Sequence, residues 1–369
     1  MASSKCLLLP SLPFELIEEI LYKIPAESLI RFKSTCKKWY NLITEKRFMY
    51  NHLDHYSPER FIRTYDQQII DPVTEILSDA LIPDEFRDLY PIYSMVHCDG
   101  LMLCTCRKWD NSLAVWNPVL REIKWIKPSV CYLHTDYVGI GYDDNVSRDN
   151  YKILKLLGRL PKDDDSDPNC EIYEFKSDSW KTLVAKFDWD IDIRCNNGVS
   201  VKGKMYWIAK KKEDFTIIRF DFSTETFKEI CVCPYTLVTR LGCFDGDRLS
   251  LLLQGEESQG IEVWMTNKLS DKVVSFSQYF NVTTPDLPAL HLQYCMACPG
   301  YSIGKRRNIR VWCEGSVDVD DKSYVIITFY EIDEGGVIKQ IETASYGQFE
   351  YDDPFICCYV YVPSLIPIQ

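Results

Sequence analysis

The chain has 369 residues, 46% of them hydrophobic and 13% aromatic, which is enough apolar material for a large core and excludes wholesale disorder. Its formal charge is −12; residues 11–50 hold seven Lys/Arg against five Asp/Glu, and with Lys5 the first 50 residues stand at +3, leaving −15 on the rest. An acidic body of that kind disfavours nucleic acid, and no apolar run approaches the ~18 residues of a membrane span.

The first element spans Leu12 to Pro25. Pro13 suits the start of a helix, where its missing N–H goes unused, and Pro25 stops it. At 100° per residue, Phe14, Leu16, Ile17, Ile20, Leu21 and Ile24 fall within one arc of roughly 160°, with Glu15, Glu18, Glu19 and Lys23 opposite. That arc is wider than a surface helix needs. Ala26 to Lys33 (Leu29, Ile30, Phe32) and Ser34 to Lys46 (Cys36, Trp39, Tyr40, Leu42, Ile43) repeat the pattern, and Phe48 to His55 extends the module. Three short helices bury too little surface to stand alone. Either they pack on the rest of the chain, or the surplus face docks on a partner helix.

The run Leu12-Pro13, Leu16, Glu19-Ile20-Leu21, Ile24-Pro25, Ser28-Leu29, Arg31-Phe32, Cys36-Lys37, Trp39, Leu42-Ile43 resembles an F-box, in order and without gaps over about residues 10 to 50. The resemblance implies docking on a Skp-type adaptor and, through it, a cullin. On that basis Leu12, Pro13, Leu16, Ile20, Leu21, Pro25, Leu29, Cys36 and Trp39 form or brace the adaptor-binding surface, with Leu16 and Trp39 equally suited to the module's own core.

Beyond about residue 56 the pattern changes to short strands with frequent turns. Phe61 to Tyr65 and Thr74 to Leu77, flanking Asp71-Pro72, suggest a first hairpin. A strand, a polar turn and a second strand then recur at Val115–Ile126, Tyr173–Leu183 and Arg219–Ile230, and more loosely at Val263 to Phe280 and Thr328 to Ile341. Between them lie strand pairs joined at Asp99-Gly100, Lys202-Gly203 and Asp245-Gly246, dipeptides that supply the positive φ of a tight hairpin. Four strands in every ~45–65 residues predict a β-propeller of about six blades, five or seven being the alternatives and an open sandwich array the rival. The run Ile356–Val362 is expected to pair with the first blade and close the ring.

Asp99-Gly100-Leu101, Val115-Trp116-Asn117-Pro118, Gly139-Ile140-Gly141-Tyr142-Asp143, Ser179-Trp180, Gly203-Lys204-Met205-Tyr206-Trp207 and Phe220-Asp221 resemble the F-box-associated region of the large plant F-box family, a kelch-like propeller. The expected organisation is a tail (1–9), an all-α F-box module (10–55) and a large all-β, propeller-like substrate-binding domain (56–369).

Sixteen cysteines without an export signal point to reduced thiols and to cytoplasm or nucleus. Cys104/Cys106 and Cys231/Cys233 fit buried strand positions, while Cys295 and Cys298 with His291 lack a fourth zinc ligand. Lys210-Lys211-Lys212 and Lys305-Arg306-Arg307 read as solvated turns, 161–168 as a solvated loop, and Gly139/Gly141 as close packing rather than a phosphate cradle. No hydrolase, P-loop or dinucleotide motif occurs, so the chain is read as non-catalytic, without cofactor or metal. The expected function is a ubiquitin-ligase substrate receptor, with an interaction scaffold and a carbohydrate-active propeller as alternatives. Trp109, Tyr132 and Trp189 are candidate anchors for a target protein.

Overall fold

The computed structural model describes residues 12–57, 59–63, 68–70, 83–86, 92–106, 112–127, 129, 136–156, 169–185, 187–191, 198–255, 260–290, 299–304, 306–319, 322–342, 346–348 and 358–369. Four helices come first: α1 (Phe14–Tyr22), α2 (Ala26–Lys33), α3 (Lys37–Ile43) and α4 (Lys46–His55). Pro13 and Pro25 sit at the N-caps of α1 and α2, each with φ near −50° and an extended ψ, and their carbonyls accept from the first turns.

Antiparallel sheets follow. Five have the strands of a propeller blade, within 92–126, 137–184, 190–232, 238–282 and 300–348. In the sixth place stands a three-stranded sheet in which Arg60–Arg63 pairs on one side with Gln68–Ile70 and on the other with Cys358–Tyr361. The expected closure of the ring by the C-terminal strand is therefore realised, and the expectation of about six blades meets five full blades and this smaller sheet. The partner in the first hairpin is Gln68–Ile70; the expected strand Thr74–Leu77 lies outside the described residues. The innermost strands, Ile92–Cys98, Tyr137–Tyr142, Val199–Val201, Val238–Phe244, Gly300–Ile303 and Cys358–Tyr361, neighbour one another in that order and back to the first.

Burial falls from the middle of each blade outward. Leu101–Cys106 and Leu113–Asn117 are buried at every residue, whereas the outer strand Ser179–Val184 is exposed at four positions of six, including Val184. Middle strands covered on both faces need continuous apolar runs, and edge strands do not. Every recurrent pair seen in the sequence is the third and fourth strand of a blade. In the first three blades the four-residue turn ends on a residue of positive φ: Arg121, Asp178 and Glu225. Asn117 and Asp221 begin two of these turns, their Oδ1 atoms accepting from the backbone N–H groups of Val119 and Ser223.

Asp99-Gly100 and Lys202-Gly203 are two-residue turns with both φ values positive, as the hairpin twist demands. At Gly100 (φ +83°) a Cβ would also stand 2.0 Å from the Cβ of Ser364, so the C-terminal segment passes where only glycine lets it. At Gly141 a Cβ would meet the carbonyl oxygen of Gly203 at 2.2 Å, which confirms close blade packing at the Gly139/Gly141 pair. Cys104, Cys106 and Cys233 are buried and Cys231 half-buried, with burial pushing the Cys106 and Cys233 thiols up to about 12.

Candidate docking surface of the helical module

The wide apolar arc of α1 is divided in the folded chain. Leu21 turns inward and is 2% exposed, and it joins Ala26, Leu29, Leu42, Ile43, Phe48, Met49 and Leu53 in an apolar cluster. That cluster continues without a break into propeller residues such as Val96, Leu101, Val115 and Ile153, and into Leu365 and Ile366 of the C-terminal segment. Tyr22 stacks between Phe48 and Tyr56, with ring centroids 4.6 and 5.2 Å away, and donates to Glu18, which also pairs with Arg47 at 2.7 Å. His52 is buried beneath this layer. Its Nε2 lies 2.8 Å from the carbonyl oxygen of Ile24 and its Nδ1 3.1 Å from Ser57 Oγ, and burial lowers its pKa.

The side of the arc that carries Leu16 and Ile20 faces out, as does the start of the element at Leu12 and Phe14. Leu12, Phe14, Leu16 and Ile20, together with Tyr40 of α3, are each 45–54% exposed. Pro13, Pro25 and Cys36 are also exposed, and Trp39 is half-buried with its ring edge-on to Phe32 at 5.4 Å. Of the nine residues assigned to adaptor binding, Leu12, Pro13, Leu16, Ile20, Pro25 and Cys36 are thus at the surface, and Trp39 is at its margin. Leu21 and Leu29 are core residues that brace the surface from below, because the inward half of the helix must bury against α2, α3 and the propeller. Phe14 and Tyr40 were not assigned. Phe14 sits at the far end of the apolar arc, and Tyr40 follows Trp39 directly, which were the available signals. Clustered aliphatic and aromatic side chains left this open are the mark of a protein-docking face.

The helices stand on the propeller face that carries the Asp99-Gly100 turn and the 143–150 loop. Arg148 donates from Nη1 and Nη2 to the two carboxylate oxygens of Asp54, both at 2.7 Å, and from Nε and Nη2 to Asp99 at 2.9 and 3.0 Å. Its guanidinium also lies 4.6 Å from the ring centre of Tyr50. Tyr151 donates its hydroxyl to Asp99, and Lys46 pairs with Asp149. The C-terminal segment fills the same seam: Asn117 Nδ2 donates to the carbonyls of Ser364 and Ile366, and His97 Nε2 accepts from the N–H groups of Gly100 and Val362. An Nε2 that accepts twice is unprotonated, and burial carries the His97 pKa down to about 4.

A family model for the F-box domain matches residues 9–51, and one for the F-box associated beta propeller domain matches residues 46–368. The chain belongs to the F-box proteins with an F-box-associated β-propeller. It is 61% identical to F-box only protein 15 of Arabidopsis thaliana, with 97% of each chain covered. It is 42% identical to F-box/WD-40 repeat-containing protein 1 of the same plant, covering all of this chain and 91% of that one. An F-box implies binding of a Skp-type adaptor. Among the described residues no group of three or more His, Cys, Asp or Glu side chains is placed to hold a metal ion. Cys295, Cys298, His291, Trp109 and Tyr132 lie outside the described residues. Trp189 is half-buried against Phe187 and Phe227.

Proposed function

We propose that this F-box protein is the substrate-recognition subunit of a Skp–cullin–F-box ubiquitin ligase, working in the cytoplasm, the nucleus or both. The observation that carries the reading is the outward face of α1 and the residue just before its cap, where Leu16, Ile20 and Leu12 stay about half exposed although a propeller is at hand to cover them. Leu16 and Ile20, exposed four residues apart on α1, match the helix-in-groove mode of recognition. The adaptor and cullin connect the module to a ubiquitin-charged enzyme, and the propeller holds a target protein. The receptor's contribution is positional: it raises the effective concentration of target lysines near the thioester and supplies no catalytic residue.

The test is co-purification of the full chain with a Skp-type adaptor and a cullin, followed by comparison of protein abundances in cells with and without the receptor. Capture of both partners, and accumulation of a propeller-bound protein when the receptor is missing, support the reading. Adaptor capture with no protein changing in abundance or ubiquitination overturns the ligase role and leaves an interaction scaffold.

A further inference from the structure

We propose that Arg148 is the positioning residue of this receptor, its single guanidinium fixing the angle between the adaptor-facing helices and the propeller. The proposal rests on the receptor reading for its purpose, although the clamp itself is a matter of geometry. Apolar packing joins the two parts broadly, but burial is non-directional and tolerates sliding. A fork that grips two carboxylates at once does not. Arg148 meets Asp54 of α4 through Nη1 and Nη2, and Asp99 of the first blade through Nε and Nη2, all between 2.7 and 3.0 Å. A planar group with both edges engaged has one orientation available to it.

Both ends of the clamp are themselves held. The 143–150 loop that carries Arg148 is closed by hydrogen bonds from Val146 N and Ser147 N to the Asp143 carbonyl and from Asn150 N to the Ser147 carbonyl. Asp99 receives the Tyr151 hydroxyl at 3.0 Å, and the rings of Tyr50 and Tyr142, one from each part, lie 4.6 and 5.7 Å from the guanidinium carbon. The second ion pair across the seam, Lys46 with Asp149, leaves its lysine side chain 68% exposed and is the weaker tie. The two family matches overlap at residues 46–51, within α4, so the clamped helix is also the one that both domain patterns claim.

The experiment places unnatural amino-acid spin labels at Glu45 and Asp245, both exposed, and measures their distance distribution by pulsed dipolar spectroscopy. The sample is the full chain bound to a Skp-type adaptor. The wild type is expected to give one narrow distance. Arg148→Met is expected to broaden or shift it, and Arg148→Lys, which keeps the charge and loses the fork, to fall between them. Adaptor affinity should stay within about twofold throughout, since the apolar strip is remote from the clamp. Asp54→Asn, at a carboxylate side chain 42% exposed, removes the α4 side alone and decides the matter if Arg148→Met fails to fold. A distribution with the wild-type width and position in Arg148→Met, or in Asp54→Asn where that is the folded variant, overturns the proposal. A wild-type chain that captures no adaptor overturns the receptor reading instead, and the same distances in the free chain still decide the clamp.

Discussion

The helical module and the propeller solve opposite problems with similar apolar content. The propeller returns its last strand to its first hairpin, so each sheet finds a neighbour and the ring buries its own inner surfaces. The module has too few residues to close on itself. It settles half of α1 on its own helices and the propeller and leaves the other half to solvent. The inner half is sealed in the core and the outer half stands open, although the two halves are adjacent on one nine-residue helix.

Substitutions can break that division most sharply from the outside. Leu16→Asp with Ile20→Asp should abolish adaptor capture, a loss above roughly a hundredfold for two central apolar contacts, while the thermal midpoint stays near wild type. Pull-down alongside a melting curve checks both halves of the statement. Leu12 and Pro13 changed together to Ala should also lose the adaptor with the body folded. Leu29→Ala tests the inner half and should show the opposite signature. Filling of its fully buried site is lost at a cost of about 2–5 kcal/mol, and because its cluster runs into the propeller, helices and blades should melt in one transition at a lower denaturant midpoint.

The seam between the two parts gives smaller effects. Gly100→Ala adds a Cβ where Ser364 already stands and forces a positive φ on alanine, so it should destabilise by more than about 1–2 kcal/mol, read by urea unfolding. Acid should act through the seam's histidines. His97 is held neutral with a pKa of about 4, and burial lowers that of His52 as well. The unfolded chain therefore binds protons that the folded chain refuses, so stability is full above about pH 6.5 and falls as pH drops toward 4. His97→Gln should flatten that slope, and an unchanged slope would remove His97 as its source. The mildest change is Tyr40→Ala, expected to weaken the adaptor complex by about tenfold at most, with no change in stability.

Much of this was legible in the amino-acid order alone. The dipeptides at residues 99–100 and 202–203 announce left-handed backbone, and the structure gives them positive φ. The strand–turn–strand copies at Val115, Tyr173 and Arg219 each became the outer half of a blade. These are local signals, fixed by sterics and by spacing over a few residues. What lay beyond them depended on long-range contacts. The sequence pattern did not show that the hairpin at Arg60 would use Gln68–Ile70, because that choice depends on where the chain's two ends meet.

Periodicity alone placed Leu16, Ile20 and Leu21 on one arc and therefore could not separate them. Only the docking of α1 against the other helices and the propeller decided that Leu21 is sealed and that Leu16 and Ile20 are open. Likewise no local rule links Asp54, Asp99 and Arg148, which stand 94 and 49 residues apart from their common partner. The chain encoded the elements and an excess of apolar surface. Tertiary packing decided which side of that surface remained exposed, because burial depends on what arrives from elsewhere in the fold.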